Sequence, residues 1–137
     1  MKMEIILQMD ILDLLENNYP FFLYLFFMDS FKNKYGEVFS PNHLIEKMIS
    51  ILPNNLLSDF SLQWLDPGCG EGQFSLFLYF LLNKNLENYF PSTREREKHI
   101  INNMLHMIEI NPINTEKTIN NFKLKTEDNL EPNIICN

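Results

Sequence analysis

The chain is short of basic charge. Its 137 residues carry 11 Lys and Arg against 18 Asp and Glu, a formal net charge of −7. Phosphate contacts dominate nucleic-acid affinity and need a basic surface, which argues against a free-standing nucleic-acid binder. Cysteine is scarce too. Cys69 and Cys136 are far apart in sequence and Cys69 lies inside a glycine-rich turn, so no disulfide framework is expected. That usage fits a reducing, intracellular setting, here expected to be the cytoplasm. The histidines His43, His99 and His106 lack metal-ligand spacing, and no metal is expected. Long apolar runs are also missing. The strongest, Tyr19–Met28, is about half the length of a membrane span and is flanked by Asp29 and Lys32, so no membrane partner is expected. Glu4, Asp10, Asp13 and Glu16 precede it and no small-residue cleavage site follows, which disfavours a signal peptide. No repeat, low-complexity tract or linker divides the chain, and 45% apolar residues suffice for one core. Helices are expected over Ile5–Glu16, with Ile5, Leu12 and Leu15 packing, and over the run Tyr19–Met28.

What is present concentrates in Leu65-Asp66-Pro67-Gly68-Cys69-Gly70-Glu71-Gly72-Gln73-Phe74. Leu62–Leu65 is a short, mostly apolar run suited to a buried parallel strand. Glycines then permit a sharp turn and close approach to a ligand. Beyond them Phe74, Phe77, Leu78 and Leu81 recur at helical spacing, so the motif sits on a strand, a turn and a helix start. A nicotinamide-binding turn wants Gly-x-Gly-x-x-Gly, and Gln73 stands where its last glycine would lie. A phosphate-binding loop of Walker type lacks its Gly-Lys-Ser/Thr. Asp66 would repel a phosphate but suits an ammonium group, which points to a methionine-linked cofactor, S-adenosylmethionine. Upstream, Ser40 and Pro41 read as N-cap and first residue of a helix whose buried face is Leu44, Ile45, Met48, Ile49 and Leu52. By itself that segment is only a capped turn; its place ahead of the glycine motif gives it weight.

Gly36-Glu37-Val38-Phe39-Ser40-Pro41 followed by Asp66-Pro67-Gly68-Cys69-Gly70-Glu71-Gly72 resembles the adenine-specific (N6) DNA methyltransferases of restriction-modification type, including viral and phage relatives. Their cofactor half carries Gly-Glu-x-Phe-Thr-Pro ahead of Asp-Pro-x-Cys-Gly-x-Gly. The resemblance implies an α/β fold, the first half of a class I S-adenosylmethionine-dependent, Rossmann-like domain, over 36–137 and preceded by amino-terminal helices over 1–35. It implies that Phe39, Ser40 and Pro41 lie against the methionine end of the cofactor. Asp66, Pro67, Gly68, Cys69, Gly70, Gly72 and Phe74 would form the floor beneath it. Ser40 replaces the commoner threonine and keeps the hydroxyl, while Glu71 stands where threonine or isoleucine is usual.

Downstream, Ser92-Thr93-Arg94-Glu95 is a capping box that opens a charged helix, expected to be a solvated face and to run toward Asn103. Met104–Ile110 reads as a second buried strand ending in an acid, with Asn111-Pro112 starting a helix to about Phe122. A carboxylate there can accept both ribose hydroxyl protons, the role the resemblance implies for Glu109, with Ile110 packing on the adenine ring. Residues 132–137 read as a third strand. The family's Asn/Asp-Pro-Pro-Tyr/Phe, which holds the flipped adenine, does not occur in these residues, and no catalytic residue is assigned. DNA contact is therefore expected through further sequence or a partner chain, such as a complementing methyltransferase polypeptide. The family's strand order leaves β-strand one with an unpaired edge in such a half, predicting a marginal or partner-dependent protein. A non-catalytic cofactor-binding or interaction subunit and a decayed methyltransferase fragment remain alternatives.

Overall fold

Helical and strand-forming segments alternate along residues 39–136, the part of the chain that the computed structural model describes. The helices expected over 1–35 lie outside the described residues. The first element, α1 (Asn42–Ser50), starts one residue later than the capping pattern predicts. Pro41 is the N-cap, with extended backbone, and its carbonyl accepts the amides of Leu44 and Ile45 at 2.9 and 3.2 Å. Ser40 gives no capping bond. Ile45 and Ile49 are buried, with Leu44, Met48 and Leu52 half-buried beside them.

A short 3₁₀ turn, Asn54–Ser58, leads to β1 (Trp64–Asp66), shorter and later than the expected Leu62–Leu65. The Asp59 carboxylate accepts the Ser61 amide and hydroxyl at 2.9 and 2.6 Å, and this turn delays the strand. Next comes α2 (Gln73–Asn85), whose buried stripe is Ser75, Leu78, Tyr79 and Leu82. The expected stripe is thus displaced by one residue: Phe74, Phe77 and Leu81 flank the core as half-buried side chains. The helix is apolar nearly all round, so hydrophobic spacing alone leaves its rotation ambiguous.

Of the capping box, the half made by the Ser92 hydroxyl forms. Ser92 caps α3 (Thr93–His99), its Oγ accepting the Glu95 amide at 3.4 Å, and a π turn, Ile100–Met104, extends the helix into β2 (Leu105–Glu109). The expected solvated face holds for Arg94 and Glu95, which are exposed, and fails at the next two charges. Arg96 and Glu97 are buried because α2 offers them polar partners. The Tyr79 hydroxyl donates to Glu97 Oε1 at 2.6 Å, the Glu127 amide to Oε2 at 2.9 Å, and Arg96 donates to Asn83 Oδ1 at 2.6 Å and the Phe90 carbonyl at 2.5 Å. Buried charge is tolerated when hydrogen-bonded in this way.

Asn111 caps α4 (Pro112–Lys125), accepting the Ile113 amide at 3.0 Å, and the helix continues one turn past the expected Phe122. The last element is β3 (Asn133–Cys136). The strands form an open parallel sheet in the order β1-β2-β3, with Trp64, Leu65 and Asp66 beside Leu105, His106 and Met107, and Glu109 beside Cys136. Leu105, Met107 and Trp64 join Leu78, Tyr79 and Leu82 of α2, Ile45 and Ile49 of α1 and Phe122 of α4 in a single core. The described residues therefore make a small open α/β arrangement with its helices on one side of the sheet. No described helix is long and apolar enough to cross a membrane.

Candidate functional site

The glycine turn projects from the carboxyl end of β1. Its Cys69 amide donates to the Ile108 carbonyl at 3.1 Å, which carries the β1–β2 ladder into the loop, and the Gly72 amide closes a tight turn on the Cys69 carbonyl at 2.8 Å. Gly70 and Gly72 have φ of +56° and +82°, the left-handed region where a side chain is strained. At Gly72 a Cβ would lie 2.8 Å from Thr118 Cγ2, so this glycine is also the contact with α4. Gly68 differs: a Cβ there would meet nothing within 4 Å. The turn's first glycine is thus required neither by packing nor by backbone sign.

Helix α4 clamps the turn from behind. Thr118 Oγ1 donates to the Gly70 carbonyl at 3.0 Å, Asn121 Nδ2 to the Glu71 carbonyl at 3.2 Å, and Lys117 pairs with Glu71 at 2.5 Å. These residues escaped the sequence reading. The available signal was polarity on a packed helical stripe: Asn114 and Thr118 recur at four-residue spacing with Phe122, and all are buried.

Glu109 joins the turn from the front. Its Oε2 accepts the Gly70 amide at 2.7 Å and its Oε1 the Asn111 amide at 2.8 Å, so one buried carboxylate ties together the loops that follow β1 and β2. Asp66 accepts the Ser75 hydroxyl at 2.7 Å. Burial is the main influence on the Asp66 carboxyl and pushes it above the ordinary range; bonds from Ser75 and Gly68 pull it down, while the Glu109 charge adds to the rise. The Cys69 thiol is pushed up to about 12, by burial first and then by Asp66 and Glu109, which makes it a packing group rather than a nucleophile. No ion pair among the described residues involves Asp66 or Glu109. The carboxylates therefore share a site of unopposed negative charge.

Phe39 completes the cluster. Its ring lies over Gly70, with Cε1 3.5 Å from where a Cβ would stand, so the segment before α1 and the glycine turn meet although they are far apart in sequence. Ser40 is half-buried and Pro41 exposed, and no hydrogen bond among the described residues joins either to the turn. Pro67 is exposed at the turn's start and Phe74 packs along the core at its end. Ile110, 60% exposed beyond β2, presents an open apolar surface next to Glu109. Among the described residues no group of three or more His, Cys, Asp or Glu side chains is placed to hold a metal ion. No protein-family model matches the chain, and no curated protein matches it.

Proposed function

We propose that this turn binds S-adenosyl-L-methionine and that the chain is the cofactor-binding part of a DNA adenine-N6 methyltransferase of restriction-modification type. The observation that carries the reading is the meeting of Phe39, Gly70 and Glu109, from three separate segments, at the carboxyl ends of β1 and β2. Ligands of open α/β sheets bind at that end of the strands. The unopposed charge of Asp66 and Glu109 favours a ligand bearing an ammonium and a sulfonium over one bearing a pyrophosphate. Glu109 keeps lone pairs beyond those given to Gly70 and Asn111, enough to accept the hydroxyl protons of a ribose. The open space at Gly68 lets a ligand approach the backbone, and Ile110 offers an apolar surface for a purine.

Bound there, the cofactor supplies an activated methyl group; the residues of this chain hold and orient it, which is where positioning contributes to a displacement reaction. The target-base pocket and DNA contacts belong, in this reading, to other sequence or to a complementing polypeptide. Calorimetry with S-adenosylmethionine tests the cofactor assignment. Wild type should bind, and Asp66→Ala and Glu109→Ala should each weaken binding by about tenfold or more, about 1.4 kcal/mol. Failure of the wild type to bind, or unchanged affinity in both variants, would sink the assignment.

A further inference from the structure

We propose that Ser75 is a positioning residue of the ligand site that acts through Asp66, its hydroxyl holding the carboxylate in the orientation and the ionised state that a cationic ligand meets. This role rests on the cofactor reading of the glycine turn. Ser75 is the third residue of α2 and heads the buried stripe that continues through Leu78, Tyr79 and Leu82. Only 2% of it is exposed, and its Oγ donates to Asp66 Oδ2 at 2.7 Å. Neither packing nor helix formation asks for serine there. Alanine is the better helix former and buries no polar group, whereas a hydroxyl taken out of water is costly unless it finds a partner. The partner it finds is the acid that ends β1.

The two carboxylates of the site are held differently. Glu109 accepts the backbone amides of Gly70 and Asn111, contacts that do not depend on side chains at those positions. Asp66 accepts a side-chain hydroxyl, which one substitution removes. Burial is the largest influence against the Asp66 carboxylate and the Glu109 charge adds to it; in the other direction the Ser75 bond leads, ahead of the Gly68 amide. The titratable groups facing Asp66 among the described residues are Glu109, from β2, and the Cys69 thiol of the turn, which is pushed up to about 12 and so carries no charge. Without the Ser75 hydroxyl the same burial acts on a carboxylate with fewer donors. Asp66 then takes up its proton at higher pH and offers the ligand less charge.

The test uses the full chain and begins without ligand. The carboxyl carbon of Asp66, assigned by its loss in Asp66→Ala, is titrated by NMR in wild type, in Ser75→Ala and in Ser75→Thr, which keeps the hydroxyl. Ser75→Ala should move the titration to higher pH, and Ser75→Thr should bring it back. Calorimetry with S-adenosylmethionine then follows affinity from neutral pH downward. Ser75→Ala should bind about fivefold more weakly than wild type where their titrations differ, the loss expected from one hydrogen bond to a charged group. Added to Asp66→Ala, it should change affinity by less than about twofold, because its effect passes through that carboxylate. An unmoved Asp66 titration in Ser75→Ala would overturn the proposal, and so would losses that add in the double variant, since either marks Ser75 as a packing residue only. Failure of the wild type to bind S-adenosylmethionine would instead sink the cofactor reading, and the titration alone would then decide whether Ser75 governs Asp66.

Discussion

Glu97 and Glu109 are 4% and 6% exposed, and each carboxylate accepts hydrogen bonds through both oxygens. Their neighbours separate them. Glu97 is enclosed between the Tyr79 hydroxyl and the Glu127 amide, and its charge is met by those hydrogen bonds, with no second carboxylate among these partners. Glu109 stands beside Asp66, whose carboxyl its charge pushes up, and no cation pairs with either. A satisfied buried charge braces one helix against another, whereas a pair of carboxylates without a paired cation at the end of a sheet is, in the function proposed above, the part that faces the cationic ligand.

The sharpest way to break this comparison is Glu97→Ala. It leaves the Tyr79 hydroxyl proton and the Glu127 amide without an acceptor, and should cost about 3 kcal/mol, read as a lower urea midpoint without a change in slope. Stability within error of wild type would show that the brace is dispensable. Gly72→Ala comes next, since it combines left-handed strain with the Thr118 contact; a loss of about 2 kcal/mol is expected, partly recovered by adding Thr118→Ser. No recovery would mean that backbone conformation alone sets the requirement.

Asp66→Asn tests the site rather than the brace. A raised carboxyl binds its proton more tightly when folded, so its contribution is most favourable at low pH and is lost as pH rises from the ordinary value of 3.8 through the raised one. Removing the charge should therefore leave stability at pH 7 equal or higher, while S-adenosylmethionine affinity falls about tenfold. Wild-type affinity should itself weaken on acidification, beginning above the ordinary carboxylate range, because protonation removes the charge that faces the cation. A flat pH profile in calorimetry would remove Asp66 from the site. The smallest effect belongs to Ser92→Ala. Its capping bond is long at 3.4 Å, and about 0.5 kcal/mol is expected from thermal melts.

Much of the local structure was legible in the residues. The strand that ends at Asp66, the glycine turn, the Ser92 cap, the acid closing β2 and the Asn111-Pro112 helix start follow from short-range rules of turn and cap chemistry, and each appears within a residue or two of its expected place. Less legible was the rotation of α2, since Phe74, Phe77 and Leu81 are as apolar as the side chains that are buried. The burial of Arg96 and Glu97 was hidden as well, because a charged tetrad reads as solvated until a facing helix supplies Tyr79 and Asn83.

The sequence by itself determined the elements and their chemistry: which residues could turn sharply, which could cap, and which acids would end strands. Those outcomes depend on backbone sterics and hydrogen bonds between near neighbours, which the chain carries locally. Only the tertiary structure decided that Phe39 lies over Gly70, that Glu109 binds the glycine turn through its amide, and that Thr118 and Asn121 of α4 hold that turn in place. Each of those contacts joins residues at least thirty-one positions apart, by roughly the closest count, and such contacts form only once the parallel sheet has set the order and register of its strands.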